Sequence, residues 1–181
     1  MTDAPTAGLR RQSLEATSVS VAFRRESDEE HKEPRFELPL PAGPNLVTAR
    51  GLAQIERRLQ EVEARVAAGG DDAALADAKR DLRYWQTRRA TAQLAPVPTG
   101  EEVAFGTRVR FRLSGAERTI AIVGDDEAEP AAGTISFSAP LAKAMLGAMP
   151  GECVDFAGRV EAIEIVAIDV PAAGGAEGEP S

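Results

Sequence analysis

Three groups of side chains have the types and spacing to do chemistry. Asp71-Asp72 follow the pair Gly69-Gly70, and Asp77 lies shortly after them. Acids placed just past a glycine break suit the start of a helix, where carboxylates accept from unpaired backbone N–H groups and favour the helix dipole. Lys79, Arg80 and Arg83 come next. They can meet phosphates or, interleaved with Asp77 and Asp81, form a solvated ionic face. Asp125-Asp126-Glu127 make an acidic turn ahead of Pro130. What is missing narrows the field. His31, the sole histidine, has no catalytic partner in view, so a nucleophilic triad is excluded. A lone Cys153 offers no intramolecular disulfide and no zinc cluster. These residues predict a chain with no catalytic group of its own, no metal bound in isolation and no cofactor.

The elements that must position them read clearly. Leu52, Ile55, Leu59, Val62 and Val66 alternate spacings of three and four, a coiled-coil seam, with Thr48 as its N-cap. Gly69-Gly70 break that helix. Leu75, Ala78, Leu82 and Trp85 resume the seam until Pro96 and Pro98 end it. In the pair Tyr84-Trp85, the tryptophan fills the seam and the tyrosine is placed to face a partner. Two seams joined by a glycine turn predict an antiparallel helical hairpin over residues 46–95. From residue 103 the period changes to two. In Arg108-Val109-Arg110-Phe111-Arg112-Leu113 the arginines face one way and the apolar residues the other. Further strands are expected at 119–123, 134–137, 153–156 and 160–168, with a short helix opened by Pro140 and ended by Gly147.

The chain is thus α+β: a flexible arm over residues 1–45, the hairpin, a linker at 96–102, a small, mostly antiparallel sheet domain at 103–170 and a tail at 171–181. The arm mixes charges with Pro34, Pro39, Pro41 and Pro44, a pattern that disfavours packed structure. Aromatics are 4% of the 181 residues, so the core is aliphatic. No apolar run is long enough to span a bilayer, and no secretory leader is visible. The expected setting is a reducing cytoplasm, away from membranes. Net charge is −8, without the basic footprint of a stand-alone nucleic-acid binder. Residues 46–95 hold nine basic against seven acidic side chains, whereas 103–170 hold six against ten. Only the hairpin can approach nucleic acid without repulsion, and then only within a larger assembly.

Several blocks in the second half carry a family resemblance. Phe105-Gly106-Thr107, Ile122-Val123-Gly124-Asp125-Asp126-Glu127-Ala128-Glu129, Gly133-Thr134-Ile135-Ser136 and Pro140-Leu141-Ala142-Lys143-Ala144-Met145-Leu146-Gly147 resemble the GreA/GreB transcript-elongation factors in order and spacing. Val47-Thr48-Ala49-Arg50-Gly51-Leu52 looks like the start of the family's hairpin. The resemblance implies a coiled coil followed by an FKBP-like domain. It implies a monomeric accessory factor whose sheet domain grips the rim of the RNA polymerase secondary channel while the hairpin enters. In such factors acids at the tip help hold a second Mg²⁺, shared with the polymerase active site, so that the polymerase cleaves its own backtracked RNA. By this resemblance Asp71, Asp72 and Asp77 are the tip acids, and Lys79, Arg80 and Arg83 the cations near RNA. Asp125, Asp126, Glu127, Ser138 and Pro140 lie near the docking surface.

Two departures alter the expected function. The family's tip carries acids three residues apart, and here Ala74 takes the second position. Each hairpin arm is also shorter than the family pattern by roughly ten residues, which withdraws the tip by about 15 Å. The expectation is a secondary-channel factor that modulates elongation with reduced or absent cleavage stimulation. The alternatives are a cleavage-competent factor acting through its tip acids, and a short-hairpin relative of the regulator of nucleoside diphosphate kinase (Rnk). A prolyl isomerase, the enzymatic rival, needs an aromatic-lined pocket, yet residues 103–170 offer only Phe105, Phe111, Phe137 and Phe156. A pure interaction module for some other protein is the remaining class.

Overall fold

Thr48 accepts the N–H of Gly51 on its side-chain oxygen and starts the first long helix, α1, Ala49–Ala68. Gly69 ends it at φ 74°, and Gly70 follows at φ 147°, both in the region where a side chain is strained. The second helix, α2, Asp72–Thr91, returns alongside. The computed structural model describes residues 37–171, and most of the expected tail and of the expected arm lies outside the described residues. Ile55 and Val62 of α1 and Ala78 of α2 are buried, while Leu52, Leu59, Val66, Leu75, Leu82 and Trp85 are half-buried. The seam read from spacing is the one that packs. An ion pair from Arg65 to Asp81, at 2.6 Å, ties the arms together near the tip.

The hairpin is closed at its base by a pair that sequence reading missed. Strand β1, Leu46–Val47, runs parallel to β2, Gln93–Leu94. Asn45, expected in the free arm, is buried and donates to the carbonyl of Arg88 at 2.7 Å and to Thr91 Oγ1 at 3.1 Å. The ordered base therefore begins before residue 46. Two residues per strand are too few to show a period, which is why the pair was invisible.

The sheet domain holds β3, Arg108–Leu113; β4, Ala116–Val123; β5, Thr134–Ser136; β6, Cys153–Phe156; and β7, Arg159–Asp169, with helix α3, Pro140–Met145, after β5. Spatial order is β5-β4-β3-β7-β6, antiparallel except where β5 lies parallel to β4. Val109 and Phe111 turn into a core with Ile122, Ile163, Ile165, Val103 and α3 residues Ala142 and Met145, leaving Arg108, Arg110 and Arg112 on the outer face. Between β4 and β5 the chain makes two 3-10 turns, Asp125–Glu127 and Pro130–Ala132. Among the described residues no helix is long and apolar enough to cross a membrane.

Candidate functional site

At the tip, Asp71 is the N-cap of α2, with Oδ1 accepting from the N–H of Ala74 at 2.7 Å. Asp72 sits exposed in the first turn. Asp77 faces Arg80 at 3.5 Å. The three do not converge: among the described residues no group of three or more His, Cys, Asp or Glu side chains is placed to hold a metal ion. Measured against a Mg²⁺ shared with a partner, this donor set offers Asp72 and the second oxygen of Asp71.

The cations expected near RNA are partly spent. Arg83 pairs with Glu37, which raises its pKa above the ordinary value chiefly through the side-chain hydrogen bond. Arg80 lies between Asp77 and Asp81. Lys79 remains exposed.

Asp126 and Glu127, expected near the docking surface, point into the junction between hairpin and sheet domain. Arg88 Nε donates to Asp126 Oδ2 at 2.5 Å, with the two side chains 4% and 6% exposed. Tyr84, expected to face a partner, instead donates its hydroxyl to Asp126 Oδ1 at 2.7 Å. Burial first, then the bond to Asp126, raises the Tyr84 pKa. Gln54 Nε2 donates to the Asp126 carbonyl at 2.9 Å. Glu127 takes the other helix: the Thr48 N–H reaches Oε1 at 3.0 Å and the Thr48 hydroxyl reaches Oε2 at 2.6 Å.

Two glycines make room for this junction. A Cβ on Gly51 would stand 1.8 Å from Glu127 Oε1, and one on Gly124 would stand 2.7 Å from the Leu46 carbonyl oxygen. The physical reason for the inward turn is that the base of the hairpin presents unpaired donors, namely the α1 N-terminus and Arg88, and three consecutive acids lie opposite. Asp125 is turned elsewhere and accepts from Ser136 and, at 2.8 Å, from Ser138 Oγ. Of the expected docking set, Pro140 is exposed at the start of α3, and Ser138 is half-buried beside it. The spacing gave no signal for the junction: after Trp85 the seam's next position is Arg89, which is exposed, and it is Arg88, one residue earlier, that is buried.

The site is thus a two-helix rod fastened by its base to a sheet domain, with Asp71 and Asp72 exposed at its far tip. The comparisons with known proteins place it further. Residues 98–170 match the family described as "Transcription elongation factor, GreA/GreB, C-term". A transcription elongation factor GreA of Pseudomonas aeruginosa is 30% identical over 138 residues, covering 75% of this chain and 85% of the relative. A GreA of Desulfovibrio desulfuricans is 35% identical over 106 residues, covering 54% of this chain and 64% of the relative. The chain belongs to the GreA/GreB transcription elongation factor family. Among solved structures, GreA factor homolog 1 (Gfh1) of Thermus thermophilus covers 70% of this chain and 99% of its own at 21% identity, with a TM-score of 0.33. A GreA/GreB factor from Nitrosomonas europaea gives 20% identity and a TM-score of 0.34 over 70% of this chain and 98% of its own.

Proposed function

We propose that the protein docks on bacterial RNA polymerase at the mouth of the secondary channel, as a monomer, and modulates elongation without efficient transcript cleavage. The observation that carries this reading is the reach of the rod. Each arm is 20 residues, about 30 Å at 1.5 Å per residue. At the end of that rod one carboxylate is committed to capping a helix. A second Mg²⁺ in the polymerase active site would be held by Asp72 with the free oxygen of Asp71. Metal ligands must be placed to within about 0.2 Å, and arms shorter than the family pattern by about 15 Å would leave these acids short of that Mg²⁺. Docking falls to the exposed face around Ser138 and Pro140, since Asp126 and Glu127 serve the junction. Lys79 is the tip cation nearest to any RNA in the channel.

The test uses Pseudomonas aeruginosa RNA polymerase stalled in a backtracked elongation complex, with that organism's GreA as the positive control. The expected result is retention of this protein on core polymerase, an altered elongation rate and no release of short 3′ RNA fragments. Rapid fragment release that is lost in Asp71→Ala/Asp72→Ala would replace this reading with cleavage assistance. Failure to associate with core polymerase would overturn it altogether.

A further inference from the structure

We infer that Arg88, Asp126 and Glu127 are positioning residues that fix the direction in which the helical rod leaves the sheet domain. The consequence for transcription rests on the function proposed above; the mechanical part does not. Both helices are held from the one 3-10 turn, Asp125–Glu127. Glu127 binds the first residues of α1 through Thr48, and Asp126 binds the last turns of α2 through Tyr84 and Arg88. Two attachment points on two antiparallel helices fix both tilt and rotation, which one point cannot do. The bonds are directional. Apolar packing in their place would bury as much surface without choosing an angle, and a buried ion pair seldom adds stability over an apolar replacement of equal volume. What charge adds at this junction is geometry.

The lever arm makes that geometry matter. A swing of about 10° at the base moves the end of a rod of about 30 Å by roughly 5 Å. The glycines support the same conclusion, because at Gly51 the close approach of Glu127 replaces a Cβ that a helix would otherwise favour. The competing source of aim is the chain beside the junction, the β1–β2 pair and the residues that follow it to β3.

The native Cys153 is exposed and is the sole cysteine, so one added cysteine suffices for a labelled pair. Ala67→Cys, exposed in the last turn of α1, supplies it. Double electron–electron resonance between spin labels on Cys153 and position 67, in the full chain without polymerase, should give one narrow distance peak. Gly51→Ala, which displaces the Glu127 carboxylate, should lose that single peak in favour of a broad distribution. Arg88→Met with Asp126→Leu, which keeps the junction buried but uncharged, should do the same. Circular dichroism checks that each variant is folded. A merely stabilising role would lower Tm while leaving the distance peak of the folded protein unchanged. A narrow peak at the original distance in both folded variants would overturn the inference and assign the aim to the chain around β1–β2. Polymerase binding is then measured separately. Unchanged retention with a lost effect on elongation ties the aim to function. Absence of binding by the unmodified protein refutes the proposed function, while the distance result stands or falls by itself.

Discussion

Gly51→Ala puts two opposed effects of known size against each other. Gly51 lies in the first turn of α1 at an ordinary helical φ, so alanine should stabilise the helix by about 1 kcal/mol. The new Cβ, however, would lie 1.8 Å from Glu127 Oε1. Glu127 Cδ and Cγ would also lie 2.1 and 2.6 Å from it, so the whole side chain must turn aside, at the least losing its two bonds to Thr48. Hydrogen bonds to a charged acceptor contribute about 1.5–3 kcal/mol each, and the lower end applies at this half-buried site. Losing both costs about 3 kcal/mol, which leaves a net destabilisation of about 2 kcal/mol. Tm should fall by roughly 6 °C for a protein of this size. In a Glu127→Ala background there is nothing left to displace, and Gly51→Ala should then stabilise by about 1 kcal/mol. Urea melts of the four proteins in this cycle measure the coupling directly. If Gly51→Ala stabilises the unmodified protein, or the coupling is under about 0.5 kcal/mol, Glu127 does not hold α1.

The other predictions bear on neighbouring contacts. Arg88→Met alone leaves Asp126 buried without its cation and should cost about 3–5 kcal/mol in urea melts, most of it recovered by adding Asp126→Leu. Tyr84 is the sole tyrosine, and its pKa is raised on folding by burial and by Asp126. A raised folded pKa means its stabilisation is complete below the ordinary phenol value of about 10 and is lost as pH climbs through the folded value. Phenolate absorbance should therefore lag at alkaline pH until the protein unfolds, and Tyr84→Phe should flatten the alkaline fall in stability. Asp71→Ala should cost about 1 kcal/mol as a lost N-cap, and Asp71→Ser should restore most of it, as thermal melts will show. Ala157 is held at φ 51°, so Ala157→Asn should stabilise by about 0.5 kcal/mol in the same melts.

The periodic parts of the molecule could be read in advance because their causes are local. Ile55 and Val62 are buried by a three-four spacing, and Val109 and Phe111 by an alternation of two. Thr48 and the paired glycines announce their helix ends by type. The junction could not be read that way, because its partners are far apart in sequence. Arg88 meets Asp126 across 38 residues, and Thr48 meets Glu127 across 79. Three acids in a row after a strand have the composition of a solvated turn. Only the placement of the hairpin base against that turn shows that two of the three, Asp126 and Glu127, are spent on holding the hairpin.

The same distance effect revises the charge argument. A surplus of cations on the hairpin suggested the segment able to approach nucleic acid, but most of those cations are already answered. Arg88 is matched by Asp126, Arg65 by Asp81, Arg89 by Glu56, Arg58 by Glu61 and Arg83 by Glu37. Arg80 lies between Asp77 and Asp81, which leaves Arg50, Arg57 and Lys79 as the hairpin cations without an acidic partner among the described residues. Exposed pairs are worth little and would yield to phosphate, whereas the Arg88 pair is buried and would not. The hairpin's formal balance thus overstates its pull on RNA. In the proposed polymerase complex, a rod that attracts nucleic acid so weakly would depend for its placement on protein contacts and on the angle at which its base is held.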